Sequence, residues 1–118
     1  PYPFYLAYAL EEEIESLGSH LDWQAEWKWD GLRGQLIKRK NQFFVWSRGE
    51  ELVTEKFPEF KGIFDKLENG TVLDGEIISW KDGKPLSFNT LQTRIGRKNV
   101  TTSYLKNAPV VLIAYDLL

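Results

Sequence analysis

At residues 26–34 the chain reads EWKWDGLRG, a stretch in which Lys28 lies between two tryptophans and has an acidic residue two positions away on either side. Around it, from residue 23 to residue 30, apolar and polar side chains alternate. This pattern predicts a β-strand with one apolar and one polar face. On such a strand Glu26 and Lys28 would point side by side into one polar space, and the tryptophans would pack in the core.

A lysine in this setting has the surroundings that a nucleophile needs: a stiff strand, a screened environment and a glycine turn that lets the backbone approach a ligand. A free lysine has a pKa of about 10.4, so only about one molecule in 2,500 carries the neutral amine at pH 7. Burial and nearby cations lower that pKa, whereas a carboxylate such as Asp30 raises it. A bound metal ion or further cations would therefore have to favour the reactive form.

The composition limits the classes of protein to which this chain can belong. A length of 118 residues fits one domain or part of one, and a hydrophobic share of 42% is ample for a core. The net charge of -2 gives no overall basic character. Without cysteine, and with His20 as the one histidine, thiol catalysis, zinc–thiolate sites and metal sites built on histidine clusters are excluded. Because no apolar run approaches a membrane span and no signal peptide is visible, we expect a soluble, cytoplasmic protein.

The first half of the chain predicts mainly antiparallel strands. Residues 1–8 are rich in aromatic residues and proline, which indicates an irregular arm packed on the domain. The three glutamates at 11–13 predict the start of a short helix that ends at Gly18. Strands over 32–39 and 43–46, joined by a turn at 40–42, predict a hairpin.

The second half predicts two helices and two strands. Phe57, Phe60, Phe64 and Leu67 have helical spacing, which predicts a helix over 54–67 with these residues in the core. A strand follows over 71–80, interrupted at residues 74–76, and Asp82-Gly83 predicts a hairpin turn.

The next segment predicts a helix capped by Ser87, with Phe88, Leu91 and Ile95 inward. The basic residues of that region are expected to point outward, where they could contact phosphate: Arg94, Arg97 and Lys98. The apolar run at 110–118 predicts a strand buried on both faces. Since such a strand needs neighbours on both sides, we expect these residues to be a piece of a longer protein.

Four short motifs occur in a fixed order along the chain. KWDGLR at 28–33 fits the pattern K-x-D-G-x-R, and SRG at 47–49, LDGEI at 73–77 and YDLL at 115–118 follow it. With these motifs the chain resembles the nucleotide-binding core of an ATP-dependent DNA ligase from about residue 23 to residue 118. The run LQTRIGRK at 91–98 is similar to that of bacterial members.

The resemblance implies an α+β fold, the ATP-grasp-like nucleotidyltransferase core of these ligases in partial form, with antiparallel β-sheets flanked by helices. Residues 1–118 would be part of the adenylation domain, with an arm and short helix at 1–22 and the nucleotide-binding core at 23–118. The family's OB-fold and DNA-binding domains, and its further acidic and lysine-pair motifs, do not occur in these residues. We therefore expect that the chain alone does not seal nicks and that it adenylates itself weakly or not at all.

The resemblance also implies a role for individual residues. Lys28 would attack the α-phosphate of ATP and hold AMP as a phosphoramidate, which then passes to a DNA 5′-phosphate. The other positions would surround the nucleotide: Glu26 at the adenine amino group, Arg33 at the ribose, Glu76 at its other hydroxyl, Arg48 at a phosphate, Tyr115 stacked on adenine where phenylalanine is usual, and Asp30 orienting the site. Glu76 is also the one metal ligand implied. ATP and Mg²⁺ would be the cofactors and nicked double-stranded DNA the partner of a monomer.

Other interpretations stay open from sequence. Arg33 and Arg48 could be solvated charges at strand ends, Glu76 could merely end a strand, and Tyr115 could be a core aromatic. An RNA ligase or a GTP-dependent capping enzyme would carry similar motifs, and a nucleotide-binding module could have lost its chemistry. Because the run at 91–98 resembles ATP-dependent bacterial ligases, an NAD-dependent ligase is the less favoured alternative.

Overall fold

A five-stranded antiparallel sheet forms the centre of the computed structural model, which describes residues 1–118. The central strand β3 pairs with β1 on one side and with β5 on the other, and β2 continues the sheet beyond β1. The short β4 pairs with the last two residues of β3. The bounds are β1 Leu32–Arg39, β2 Gln42–Ser47, β3 Val72–Lys81, β4 Lys84–Pro85 and β5 Val110–Leu117. The predicted α+β class is confirmed.

Three short α-helices and four 3₁₀ turns connect and cover the strands. The helices are α1 Lys61–Phe64, α2 Phe88–Ile95 and α3 Thr102–Asn107, and the turns are Ile14–Leu17, His20–Asp22, Thr54–Lys56 and Pro58–Phe60. None of the helices has the length or apolar character needed to cross a bilayer. The short helix predicted before Gly18 forms only a single 3₁₀ turn, Ile14–Leu17. Gly18, which ends the turn, has φ +85°.

The long helix predicted over 54–67 is wrong, although its core residues are right. Phe57 lies at φ −131°, ψ 61° because the residue before a proline is disfavoured in the helical region, and this breaks the segment at Pro58. The chain therefore forms two 3₁₀ turns and one α-helical turn. Phe57, Phe60 and Phe64 are nevertheless buried in the core.

Both predicted hairpins are confirmed by their turn conformations. Between β1 and β2, Lys40 and Asn41 have φ values of 51° and 61°. Between β3 and β4, Asp82 and Gly83 have φ values of 54° and 80°. Positive φ at both central residues is what a two-residue hairpin turn of type I′ requires.

The core lies against one face of the sheet. Leu36, Val45, Ile77 and Val110 have the same side-chain parity in the strand registers, and all four are buried. They pack with the three phenylalanines of 57–64 and with Leu91 of α2 in one cluster. The opposite face carries Arg33, Asp74 and Glu76 and takes no part in this core.

β5 differs from its prediction, because it is an edge strand rather than a strand buried on both faces. It pairs with β3 alone, Val110 is its one buried residue, and its last residues are exposed. The pairing with β3 also shifts: Gly75 opposes Ala114 and Asp74 opposes Asp116. Tyr115 is therefore the extra residue of a β-bulge. The predicted interruption at 74–76 is wrong, since β3 is continuous from Val72 to Lys81. The irregularity lies instead in the pairing of β3 with β5, between Asp74 and Gly75.

The strand predicted over 23–30 does not form. This segment has no regular secondary structure, and Lys28 and Glu26 are exposed within it. Trp27 is 87% exposed, so its predicted place in the core is wrong. Trp29 is half-buried and packs edge-on against Trp80, with ring centroids 6.2 Å apart. Alternation of apolar and polar residues does not make a strand unless another strand pairs with the segment, and none does here.

Arg94 also contradicts its prediction, because it is fully buried instead of pointing outward. Its guanidinium forms an ion pair with Glu59 and donates to the main-chain carbonyls of Lys56, at 2.9 and 3.2 Å, and of Ala108, at 2.8 Å. Arg97 and Lys98 are exposed. The basic cluster predicted from sequence is thus divided, and Arg94 holds α2 against the segment before α1 and the start of β5.

Candidate functional site

Arg33 and Asp74 form the most tightly organised polar pair on the face of the sheet opposite the core. Arg33 Nε donates to Asp74 Oδ1 at 3.1 Å and Nη2 donates to Oδ2 at 3.0 Å. The Asp74 side chain is 2% exposed, so this is a buried, two-point contact of the strong, charge-assisted kind. Burial lowers the pKa of Arg33, but the hydrogen bonds and charge of Asp74 outweigh it and the pKa is raised. Sequence analysis did not identify Asp74 as part of the site.

Glu76 lies directly opposite Arg33 in the pairing of β1 with β3. Burial raises the pKa of Glu76, Arg33 opposes this shift, and the carboxylates of Asp74 and Asp30 reinforce it. Arg48 also lowers the pKa of Glu76, so Asp30 and Arg48 both lie within electrostatic range of this carboxylate. Arg33 and Glu76 are thus neighbours on the sheet, and the charges of Asp30 and Arg48 act on Glu76.

Tyr115, at the bulge of β5, lies beside this group. Arg33 Cζ lies 5.7 Å from the centre of the Tyr115 ring. Burial raises the pKa of Tyr115 to about 12, with a smaller opposing effect from Arg33, so the phenol is neutral at physiological pH. Ile113 opposes Glu76 in the pairing of β5 with β3, and Tyr115, two residues later, lies on the same face of the sheet as Arg33 and Glu76. Tyr115 is still 38% exposed.

An open cleft of about 310 Å³ adjoins Tyr115. Its lining is mostly aromatic or apolar with one carboxylate: Glu26, Trp27, Trp29, Ile113 and Tyr115. Exposed aromatic rings of this kind stack on flat ligands, and a carboxylate accepts hydrogen bonds from an amino group. The Glu26 carboxylate accepts one such bond, at 2.7 Å, from the side-chain amide of Gln24.

Lys28 lies in the segment that forms one wall of this cleft, between the two tryptophans that line it. Its side chain is exposed and forms no ion pair within the chain. The screened environment predicted for it is therefore absent, because the strand that would have provided that environment does not form. Asp30, two residues after Lys28, is the residue of this segment whose charge acts on the pKa of Glu76.

No group of three or more histidine, cysteine or carboxylate side chains is close enough to hold a metal ion. Asp74 is engaged by Arg33, whereas Glu76, Asp30 and Asp116, which opposes Asp74 in the pairing of β3 with β5, remain available. Magnesium is commonly held by one or two carboxylates together with substrate phosphates. The residues present fit that arrangement.

Comparison with known proteins is consistent across sequence and structure. A family model described as "ATP dependent DNA ligase domain" matches residues 5–118. The chain is 35% identical over 118 residues to a probable DNA ligase of Koribacter versatilis, covering 100% of this chain and 20% of that protein.

Among solved structures, the ligase domain of M. tuberculosis LigD matches with a TM-score of 0.58 and 30% identity, over 79% of this chain and 28% of that chain. A mycobacterial DNA ligase D complexed with ATP and MES matches with the same TM-score, identity and coverage. The chain thus spans about a fifth of the curated relative and 28% of each solved chain.

Proposed function

The chain belongs to the ATP-dependent DNA ligase family, and from this premise we propose that its native polypeptide joins DNA strands through a covalent AMP on Lys28. The observation that carries the proposal is the convergence of Arg33, Glu76 and Tyr115 on one face of the sheet, next to a cleft whose other wall is the Lys28 segment. We assign residues 1–118 to the adenylation domain, with the nucleotide-binding core at 23–118.

Adenine would occupy the aromatic cleft, stacked on Tyr115, with its amino group at Glu26. The ribose would lie at Arg33 and Glu76. Arg33 carries five N–H donors, of which two bind Asp74 and one binds the Tyr5 carbonyl, so donors remain for a ribose hydroxyl. Arg48, exposed at the end of β2, would contact a phosphate.

The covalent step begins with the neutral Nζ of Lys28. Nζ attacks the α-phosphorus of ATP, the N–P bond forms, and the bond from that phosphorus to the β-phosphate oxygen breaks, releasing pyrophosphate. The exposed amine can give its proton to solvent. Glu76 and Asp30 would hold Mg²⁺, which neutralises phosphate charge when bound, and the cations of the site add to that effect.

Two further transfers would complete strand joining. The 5′-phosphate of a DNA nick attacks the phosphorus of the lysyl-AMP, the N–P bond breaks, and AMP is carried on the DNA end. The neighbouring 3′-hydroxyl then attacks the 5′-phosphate, forms the phosphodiester and releases AMP. Nicked duplex DNA is thus the proposed substrate, in DNA repair or replication.

The choice of nucleotide and of nucleic acid tests this function against its alternatives. The native polypeptide would be incubated with Mg²⁺ and α-labelled ATP or GTP, and then given a nicked DNA duplex or its RNA counterpart. We expect labelling by ATP and sealing of the DNA nick. Preference for GTP or for RNA ends would contradict the DNA ligase assignment, and absence of labelling would indicate a module without this chemistry.

A further inference from the structure

The N-terminal arm, residues 1–8, is fastened onto the face of the sheet that carries Arg33. The side chain of Gln35, two residues after Arg33 on β1, is fully buried and binds the main chain of Tyr2 in both directions. Tyr2 N–H donates to Gln35 Oε1 at 2.7 Å, and Gln35 Nε2 donates to the Tyr2 carbonyl at 3.3 Å. This pair of bonds fixes the start of the arm over β1.

Beyond this attachment the arm contacts the Arg33 guanidinium twice. The Tyr5 carbonyl accepts a hydrogen bond from Arg33 Nη1, and the centre of the Phe4 ring lies 5.4 Å from Arg33 Cζ. A ring at this distance attracts a cation. The rings of Tyr5 and Tyr8 are 81% and 90% exposed, so Phe4 is the arm residue whose ring is directed at the guanidinium.

We propose that Phe4 is a positioning residue of the nucleotide site, acting through Arg33. This inference rests on the proposed function, in which Arg33 binds the ribose. Asp74 holds one edge of the guanidinium, and the rings of Phe4 and Tyr115 contact it as well. When Tyr115 stacks on adenine, its ring is shared with the base, and Phe4 is the aromatic contact that keeps Arg33 in place.

The test measures covalent labelling of the native polypeptide as a function of ATP concentration. Phe4→Leu and Phe4→Met keep an apolar side chain but remove the ring, and Phe4→Tyr restores it. Tyr8→Leu, in the same arm but without a contact to Arg33, is the matched control. We expect the ringless variants to raise the KM for ATP about three- to tenfold, the size of one cation–π contact, with little change in the rate at saturating ATP.

A double-variant comparison separates positioning from a merely structural role. If Phe4 acts through Arg33, adding Phe4→Leu to Arg33→Gln should raise the KM for ATP no further, because Arg33→Gln leaves no cation for the Phe4 ring to contact. Recovery by Phe4→Tyr and an unchanged KM in Tyr8→Leu would support the proposal. An unchanged KM in the ringless variants, a fully additive double variant, or loss of activity that only follows a lower melting temperature would overturn it.

The same experiment distinguishes this inference from the function on which it rests. If the unaltered polypeptide is not labelled by ATP, the proposed function fails and the role of Phe4 fails with it. If the unaltered polypeptide is labelled and Phe4→Leu has the same KM, the role of Phe4 alone is refuted.

Discussion

Replacing Arg94 with methionine should destabilise the fold strongly without removing a contact to DNA. The side chain is fully buried, pairs with Glu59, and donates to the main-chain carbonyls of Lys56 and Ala108. Methionine has a similar length and fills part of the space but can donate no hydrogen bond. The ion pair and both carbonyl contacts are therefore lost together.

The structure allows the size of this effect to be estimated. A buried carbonyl left without a donor costs about 1–3 kcal/mol, and the carbonyl of Ala108 is at the upper end because that residue is 3% exposed. The carbonyl of Lys56 costs less, since Lys56 is only half-buried. Glu59 keeps 29% exposure and can be solvated again, so its lost partner adds only about 1 kcal/mol. After the apolar gain of methionine, the free energy of unfolding should fall by about 2–4 kcal/mol.

Arg97→Met is the matched control on the same stretch of chain. Arg97 is exposed, and its ring contact is to Tyr104, with Cζ 5.1 Å from the ring centre. Its loss should cost less than about 1 kcal/mol. Equilibrium unfolding in urea, with amide hydrogen exchange followed in α2 and β5, measures both variants in the native polypeptide.

A salt titration of DNA binding tests the alternative, in which Arg94 contacts a phosphate of DNA. Loss of one phosphate contact lowers the slope of log K against log salt by about 0.9. We expect Arg94→Met to leave that slope unchanged under conditions in which the variant is folded. If Arg94→Met is as stable as Arg97→Met, or if its slope falls by about one contact, the structural role of Arg94 is refuted.

Three further changes test the site. Asp74→Asn removes the charge that holds Arg33, and we expect the KM for ATP in the labelling assay to rise about tenfold or more; an unchanged KM would contradict this. Burial raises the pKa of Glu76, so its contribution to stability is present below its unfolded-state pKa near 4.5 and is lost as the pH rises through the folded-state pKa. Glu76→Gln should therefore raise the melting temperature at pH 7 but not at pH 4, and lower labelling; equal shifts at both pH values would be inconsistent with this cause. Gly75→Ala would place a Cβ 2.4 Å from a carbonyl oxygen of β5 and should lower the free energy of unfolding by about 1–3 kcal/mol. Gly62→Ala, whose Cβ would have no atom within 4 Å, should not lower it, and thermal unfolding of both variants measures the difference.

Local chemistry explains what the sequence predicted correctly. The turns at Lys40-Asn41 and Asp82-Gly83 have left-handed backbone conformations that depend mainly on the residues inside the turn. The three phenylalanines of 57–64 are buried even though their helix is broken, because hydrophobicity and spacing survive a change of local backbone. These features need no knowledge of distant segments.

The errors arise where the structure depends on partners elsewhere in the chain. The alternation at 23–30 predicts a strand, yet no strand pairs with the segment. The contact between Arg33 and Asp74 joins residues 41 positions apart and follows only from the register of β1 with β3. The position of Tyr115 next to Arg33 follows only from the pairing of β5 with β3.

Two errors had a usable signal in the sequence: Pro58 within the helix predicted over 54–67, and Arg94. Arg94 follows Leu91 by three positions, so helical periodicity places it next to the inward face of α2. Its charge favoured an outward position instead. A buried arginine needs a carboxylate and carbonyl acceptors, and Glu59 with the carbonyls of Lys56 and Ala108 provides them only in the folded chain.

Locating the covalent AMP on the protein tests most simply whether Lys28 is the nucleophile. After incubation of the native polypeptide with ATP and Mg²⁺, peptide mass spectrometry would identify the modified residue, with Lys28→Ala and the exposed turn variant Lys40→Ala measured in parallel. We expect AMP on the Nζ of Lys28, no labelling in Lys28→Ala and full labelling in Lys40→Ala. AMP on another residue, or undiminished labelling in Lys28→Ala, would contradict it.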